Sequence, residues 1–138
     1  MSEQEAIEIL KHHSFNNENL GNSKAEKGFL GMLRPFNGTL NEENFHELMN
    51  VLLALKDHFS KEIIDRNITS NLWAICHLTR SWAIERDAML RRNNLINDTQ
   101  IDLLTIWIDC ISITVMYLLE GLGDLAFDSY NAYLNQKL

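Results

Sequence analysis

Glu43 and His46 stand three residues apart. This is the Glu-x-x-His spacing that di-iron bundles use, because side chains three apart on a helix project together into a metal site. Such a centre needs a second copy of the motif and further inward carboxylates, and neither His58 nor His77 has a glutamate three residues before it. A helical metal-binding protein or enzyme using Glu43 and His46 is therefore the alternative reading rather than the leading one. Cys76 beside His77 suggests a thiol activated by a base, but adjacent residues on a helix diverge by about 100° and cannot pair as a nucleophile and its base must. Cys76 and Cys110 each lie in an apolar run without a second cysteine at Cys-x-x-Cys spacing, the pattern of buried reduced thiols rather than of a zinc knuckle or redox pair. There is no glycine-rich phosphate loop, no Gly-x-Ser-x-Gly elbow and no His-Glu-x-x-His. The expectation is a chain that is not an enzyme, with no catalytic residues, no metal and no cofactor.

What remains is charge. The chain carries 12 basic and 19 acidic residues for a net charge of -7, which repels nucleic-acid backbones and anionic lipid and attracts basic partners. The excess is uneven. Residues 1–65 hold 11 acids and 6 bases, residues 66–98 hold 3 and 5, and residues 99–138 hold 5 and 1. Helical spacing places Glu43, Glu47, Asn50 and Asp57 opposite an apolar stripe, with Asp65 continuing that face if the helix runs past Lys61. Asp102, Asp109 and Glu120 fall in a second narrow stripe with Met116. Each acidic stripe reads either as a solvated face or as a surface for a basic protein. Arg80, Arg86, Arg91 and Arg92 form the basic cluster, better suited to internal pairing or an interface anchor than to phosphate.

The elements that must carry these residues are helices. One proline and the absence of alternating apolar and polar runs leave strands without support, while 46% hydrophobic against 22% charged residues allows a sizeable core. Ser2 with Glu5 has capping-box spacing, and Ser23 with Glu26 repeats it before a run that Pro35 ends; Asn16 to Asn22 reads as loop. His12 and His13 close the first helix as a surface pair compatible with the helix dipole. Thr39 or Asn41 caps the next helix, which buries Phe45, Leu48, Met49, Leu52 and Phe59. The segment from about Thr69 to Ile84 is apolar nearly all round and predicts a central helix with neighbours on several sides. Glu85 to Asp87 breaks the chain, and Ala88 to Arg92 makes another turn or two. Asn97 or Asp98 caps the longest helix, from about Thr99 to Glu120, which Gly121 stops. Its stretch Leu103 to Leu119 falls short of a membrane span because Asp109 interrupts it, so it reads as a core helix. A last helix from about Asp124 to Asn135 buries Leu125, Ala126 or Phe127, Tyr130, Tyr133 and Leu134. The fold class expected is all-α: one domain over residues 1–138, a compact bundle of about six helices with two nearly buried central ones.

The stretches Leu72-Trp73-Ala74-Ile75-Cys76-His77-Leu78 through Trp82, then Met89-Leu90-Arg91-Arg92-Asn93-Asn94-Leu95-Ile96, then Ile106-Trp107-Ile108 resemble small helical immunity proteins of bacterial toxin–immunity systems, including those of contact-dependent growth inhibition. The resemblance covers about the middle third to half of the chain and lies in character, size and acidity. Such families share no catalytic residues, so no functional position carries over. The resemblance implies a cytoplasmic protein that binds the effector domain of a cognate toxin, often a basic nuclease, and covers its active site or substrate path. Neither nucleic acid nor membrane is an expected partner. Glu43, Glu47, Asp57 and Asp109 are the first candidates for the contact. A homo-oligomeric scaffold or regulator is the third reading.

Overall fold

The computed structural model describes residues 1–14 and 26–136, and among these it is all-helical. The helices are α1 (Glu3–His13), α2 (Phe29–Leu33), α3 (Glu42–Ala54), α4 (Lys56–Phe59), α5 (Arg66–Thr79), α6 (Met89–Arg92), α7 (Asp98–Leu119) and α8 (Asp128–Gln136). A single π-helical turn, Arg80–Ile84, extends α5.

Capping chemistry sets most of the boundaries. The Ser2 hydroxyl accepts from the Glu5 amide and donates to the Glu5 carboxylate, both at 3.1 Å. The Asn41 side chain accepts from the Glu43 amide at 3.1 Å. At the start of α7, Asn97 and Gln100 exchange side-chain and backbone bonds in a full capping box. At its end Gly121, at φ +76°, lets the Leu122 amide reach back to the Tyr117 carbonyl at 2.8 Å and the Gly121 amide to Leu118 at 3.2 Å, the Schellman pairing. Asn94, at φ 55°, repeats it after α6, with Leu95 bonded to Leu90.

Five aromatic rings mark the centre. Trp107 of α7 is fully buried, stacked on Phe45 of α3 at 5.6 Å and met edge-on by Phe29 of α2 at 6.3 Å. Tyr130 and Tyr133 of α8 meet Phe45 edge-on at 5.5 and 5.1 Å. Trp107 Nε1–H donates to the Tyr133 hydroxyl at 3.1 Å, so the indole is buried with its polar atom satisfied. Around this cluster α1 packs on α3 and α5, α5 on α7, and α7 on α3 and α8. Helix α7 is long and apolar enough to cross a membrane by length and composition, yet Leu104, Trp107, Ile108 and Ile111 have no exposed surface here. At the edge of the bundle, the Arg34 guanidinium lies 5.3 Å from the ring centre of Trp82.

The structure departs from the sequence expectations at several places. The helix begun at Asn41 stops at Ala54, and Phe59 belongs to the separate turn α4. Asp65 does not extend the acidic face of α3, because it caps α5, accepting from the Asn67 amide at 2.8 Å. The helix expected from Thr69 starts at Arg66 and is not enclosed: Ile68, Asn71, Leu72, Ile75 and Thr79 are buried, while Trp73 is 74% exposed. Helix α7 likewise leaves Ile106 and Leu119 in solvent, beyond the outward stripe expected of it, so neither central helix is sealed on all sides. Helix α8 starts at Asp128, and Leu125 and Leu134 stay exposed while Ala126 and Tyr133 are buried. The expected cap of Ser23 on Glu26 and the loop Asn16 to Asn22 lie outside the described residues.

His13 is a further departure, buried rather than at the surface. Its Nδ1 accepts from the Phe29 amide at 2.9 Å, so Nε2 carries the proton and donates to Glu47 Oε1 at 2.7 Å. His58 works the same way. Nε2 accepts from the Asp65 amide and Nδ1 donates to Glu3 Oε1, both at 3.1 Å. The two ends of α1 are thus each tied to a distant segment by a histidine–glutamate pair.

Candidate partner-binding face

Helices α5 and α7 lie antiparallel. Arg80 sits beside Asp109 and Ser112, and Cys76 beside Ser112; further back along α5, Leu72, Trp73 and Thr69 share a groove with Val115, Met116, Leu119 and Glu120. On α5 positions 69, 72, 73, 76 and 80 recur at helical spacing, as do 112, 115, 116 and 119 on α7. The two stripes face each other without closing. They leave an apolar groove of about 510 Å³, with Trp73 74% exposed, Met116 44% and Leu119 45%.

The floor of the groove is polar and internally satisfied. The Ser112 hydroxyl donates to Cys76 Sγ at 3.4 Å, Arg80 Nη2 donates to Ser112 Oγ at 3.1 Å, and the guanidinium stands 3.6 Å from Asp109 Oδ1. Burial pushes the Cys76 thiol up, more than the Ser112 hydrogen bond and the Arg80 charge pull it down. A thiol in that state is a poor nucleophile near neutral pH, and its hydrogen-bond neighbour is Ser112, not His77. Glu85 and Glu120 line opposite ends of the groove, and among the described residues neither carboxylate has a partner. The π turn positions Glu85: its amide bonds to the Arg80 carbonyl five residues back at 2.8 Å, ending the helix there, and Arg91 Nη1 holds the freed Ile84 carbonyl at 2.8 Å.

The chain finds no match among protein families, curated proteins or solved structures.

The residues singled out from sequence fall in three places. Glu43 and Glu47 are exposed one turn apart on α3, and Glu47 is the partner of His13. Asp57 is exposed in α4 beside a second depression of about 400 Å³, where Lys56 reaches Asp124 at 3.5 Å. Asp109 borders the α5–α7 groove through Arg80. The stripe expected on α7 does face out, with Asp102, Asp109, Met116 and Glu120 all exposed. Of the basic cluster, Arg80 pairs with an internal acid and Arg91 with a backbone carbonyl.

His46 does not use Glu43. Its Nε2 lies 2.9 Å from Glu42 Oε2, one turn back, and its Nδ1 lies 2.6 Å from the Tyr130 hydroxyl. Both ring nitrogens are engaged, and burial, followed by neighbouring acidic groups, pushes the Tyr130 phenol up. Among the described residues no three His, Cys, Asp or Glu side chains are grouped so as to hold a metal ion.

Trp73 is the residue of this face that the sequence expectations missed. A signal was available: Arg66, Ser70, Trp73 and His77 lie on one line at helical spacing, and all four are exposed. Three polar residues mark that line as the outer face of α5, with the indole in the middle of it.

Proposed function

We propose that this chain is an immunity protein, which binds the effector domain of a cognate bacterial toxin in the cytoplasm and neutralises it by covering its active site or substrate path. The observation that carries the reading is the α5–α7 face. A 74% exposed tryptophan stands beside exposed Met116 and Leu119 over an apolar groove whose ends carry glutamates that have no partner among the described residues. Aromatic residues set in an apolar patch with a polar rim are the usual anchors of protein interfaces. The acidic rim, on a chain of net charge -7, favours a basic partner and speeds its encounter. The resemblance in the middle of the chain supports the same conclusion, and the work needs no cofactor.

The test is co-expression with the product of the adjacent gene. Restored growth together with co-purification of the two chains is the expected result, and a host that stays poisoned overturns the reading. Reversing the charge at Glu43, Glu47, Asp57 or Asp109 to lysine is expected to weaken the complex about two- to fivefold at each position that lies in the contact, with the loss shrinking as salt is raised. The stability of the Glu47→Lys chain must be measured alongside, because that glutamate also holds His13.

A further inference from the structure

We infer that the groove between α5 and α7 receives an amphipathic α-helix of the partner, about three turns long, with a lysine or arginine near each end of its apolar stripe. The inference rests on the proposed function for the existence of a protein partner and adds what that partner must present.

Length comes first. The groove runs from the level of Thr69 to that of Arg80 on α5, eleven residues, or about 16 Å at the rise of an α-helix. Its walls are side chains of two antiparallel helices whose backbone bonds are satisfied internally, so there is no sheet edge to which an extended strand could add. A row of side chains from a third helix, spaced three and four apart, fits between two such ridges.

Charge supplies the second argument. Arg80, the guanidinium among the described residues that line the groove, is held by Ser112 and Asp109, which leaves little positive field for an anionic occupant. Among the described residues, the carboxylates of the groove without partners are Glu85 at one end and Glu120 at the other. Carboxylates toward the two ends of a groove about 16 Å long are matched by two bases about eleven residues apart on the incoming helix. Between them the exposed face of Trp73 accepts aliphatic side chains and can also accept a cation.

The experiment uses the full chain and a synthetic fifteen-residue helical peptide with leucines along one stripe and lysines at positions 2 and 13. A second peptide carries glutamates at those two positions. Isothermal titration is expected to show saturable binding of the lysine peptide and at least tenfold weaker binding of the glutamate peptide. Trp73→Ala should weaken the lysine peptide by tenfold or more, and the double variant Glu85→Gln/Glu120→Gln by about three- to tenfold, in a salt-dependent manner. All these substitutions are at exposed positions, so an unchanged melting temperature separates lost binding from lost folding. Equal binding of both peptides overturns the inference, as does absence of binding, or a dimer in sedimentation that Trp73→Ala dissolves, since the occupant would then be a second copy. The two readings fail separately. If the chain neutralises its toxin while Trp73→Ala and Glu85→Gln/Glu120→Gln leave that complex intact, only the groove assignment falls. If the lysine peptide behaves as expected and no toxin is neutralised, only the immunity reading falls.

Discussion

His13 and Gly28 meet where α1 passes over the start of α2. A Cβ on Gly28 would stand 2.5 Å from the His12 carbonyl oxygen and 3.1 Å from the His13 Cα, both rigid backbone. Gly28 therefore owes its place to close approach rather than to an unusual φ, and that approach lets the Phe29 amide reach His13. Gly28→Ala is expected to force the two segments apart and to lower stability by about 1–3 kcal/mol. His13→Ala, which strands a buried amide, is expected to cost a similar amount. Urea denaturation checks both, and unchanged midpoints would show that α1 tolerates displacement. The same geometry bears on Glu47, whose carboxylate serves the fold as well as any partner. Neither role was legible in the sequence, because the partners of His13 are 16 and 34 residues away and helical periodicity reports only neighbours on one helix.

At the level of elements, the sequence indicated ends better than surroundings. Ser2 and Gly121 act as expected, and of the two caps open at each of the next sites Asn41 and Asn97 are the ones used, because caps are local chemistry. Gly121 allows a clean test. Nothing lies within 4 Å of a Cβ built there, so Gly121→Ala should cost only the left-handed conformation, about 1–2 kcal/mol. Asn97→Ala should remove a capping box for about 1 kcal/mol. Thermal melts of the two variants measure these costs, and a larger loss at Gly121 would reveal packing that the open space around it does not suggest. The misreading of α5 has a different cause. Composition made it look enclosed, since Leu72, Ile75, Leu78 and Ala83 surround the tryptophan in sequence, but burial depends on which helices arrive to cover a face. Helix α7 covers part of the stripe through Leu72 and Cys76, and no described element covers Trp73. The acidic stripe of α7 was legible in full, whereas the groove beside it required knowing that α5 runs antiparallel to it.

For the whole molecule, the titrating groups whose protonated forms folding favours give stability a definite pH dependence. Burial raises the thiols of Cys76 and Cys110 above their ordinary value of 9.0, and Tyr130 above 10.0. In alkaline solution the unfolded chain then releases protons that the folded chain still holds, so stability falls with rising pH. The contribution is complete below pH 9 and is lost from there upward, with the two thiols acting first and the phenol later. The chain carrying Cys76→Ala and Cys110→Ala should lose less stability between pH 8 and pH 10 than the parent chain, as read from denaturation midpoints at each pH. Equal slopes would place the alkaline loss elsewhere.

The three tryptophans occupy three depths of solvation. Trp107 is sealed in the aromatic centre, Trp82 is half-buried beneath a guanidinium, and Trp73 stands in water on the outer face of α5. Their fluorescence should therefore divide by colour. Trp107 emits from a dry environment and loses that signature when the core opens, whereas Trp73 emits from a wet one and changes only when something covers it. A chain keeping Trp73 alone reports occupancy of its face with the fold intact, and a chain keeping Trp107 alone reports the fold with the face ignored. The protein thus carries separate optical reporters for its core and for this outer face, and no label has to be attached to observe either.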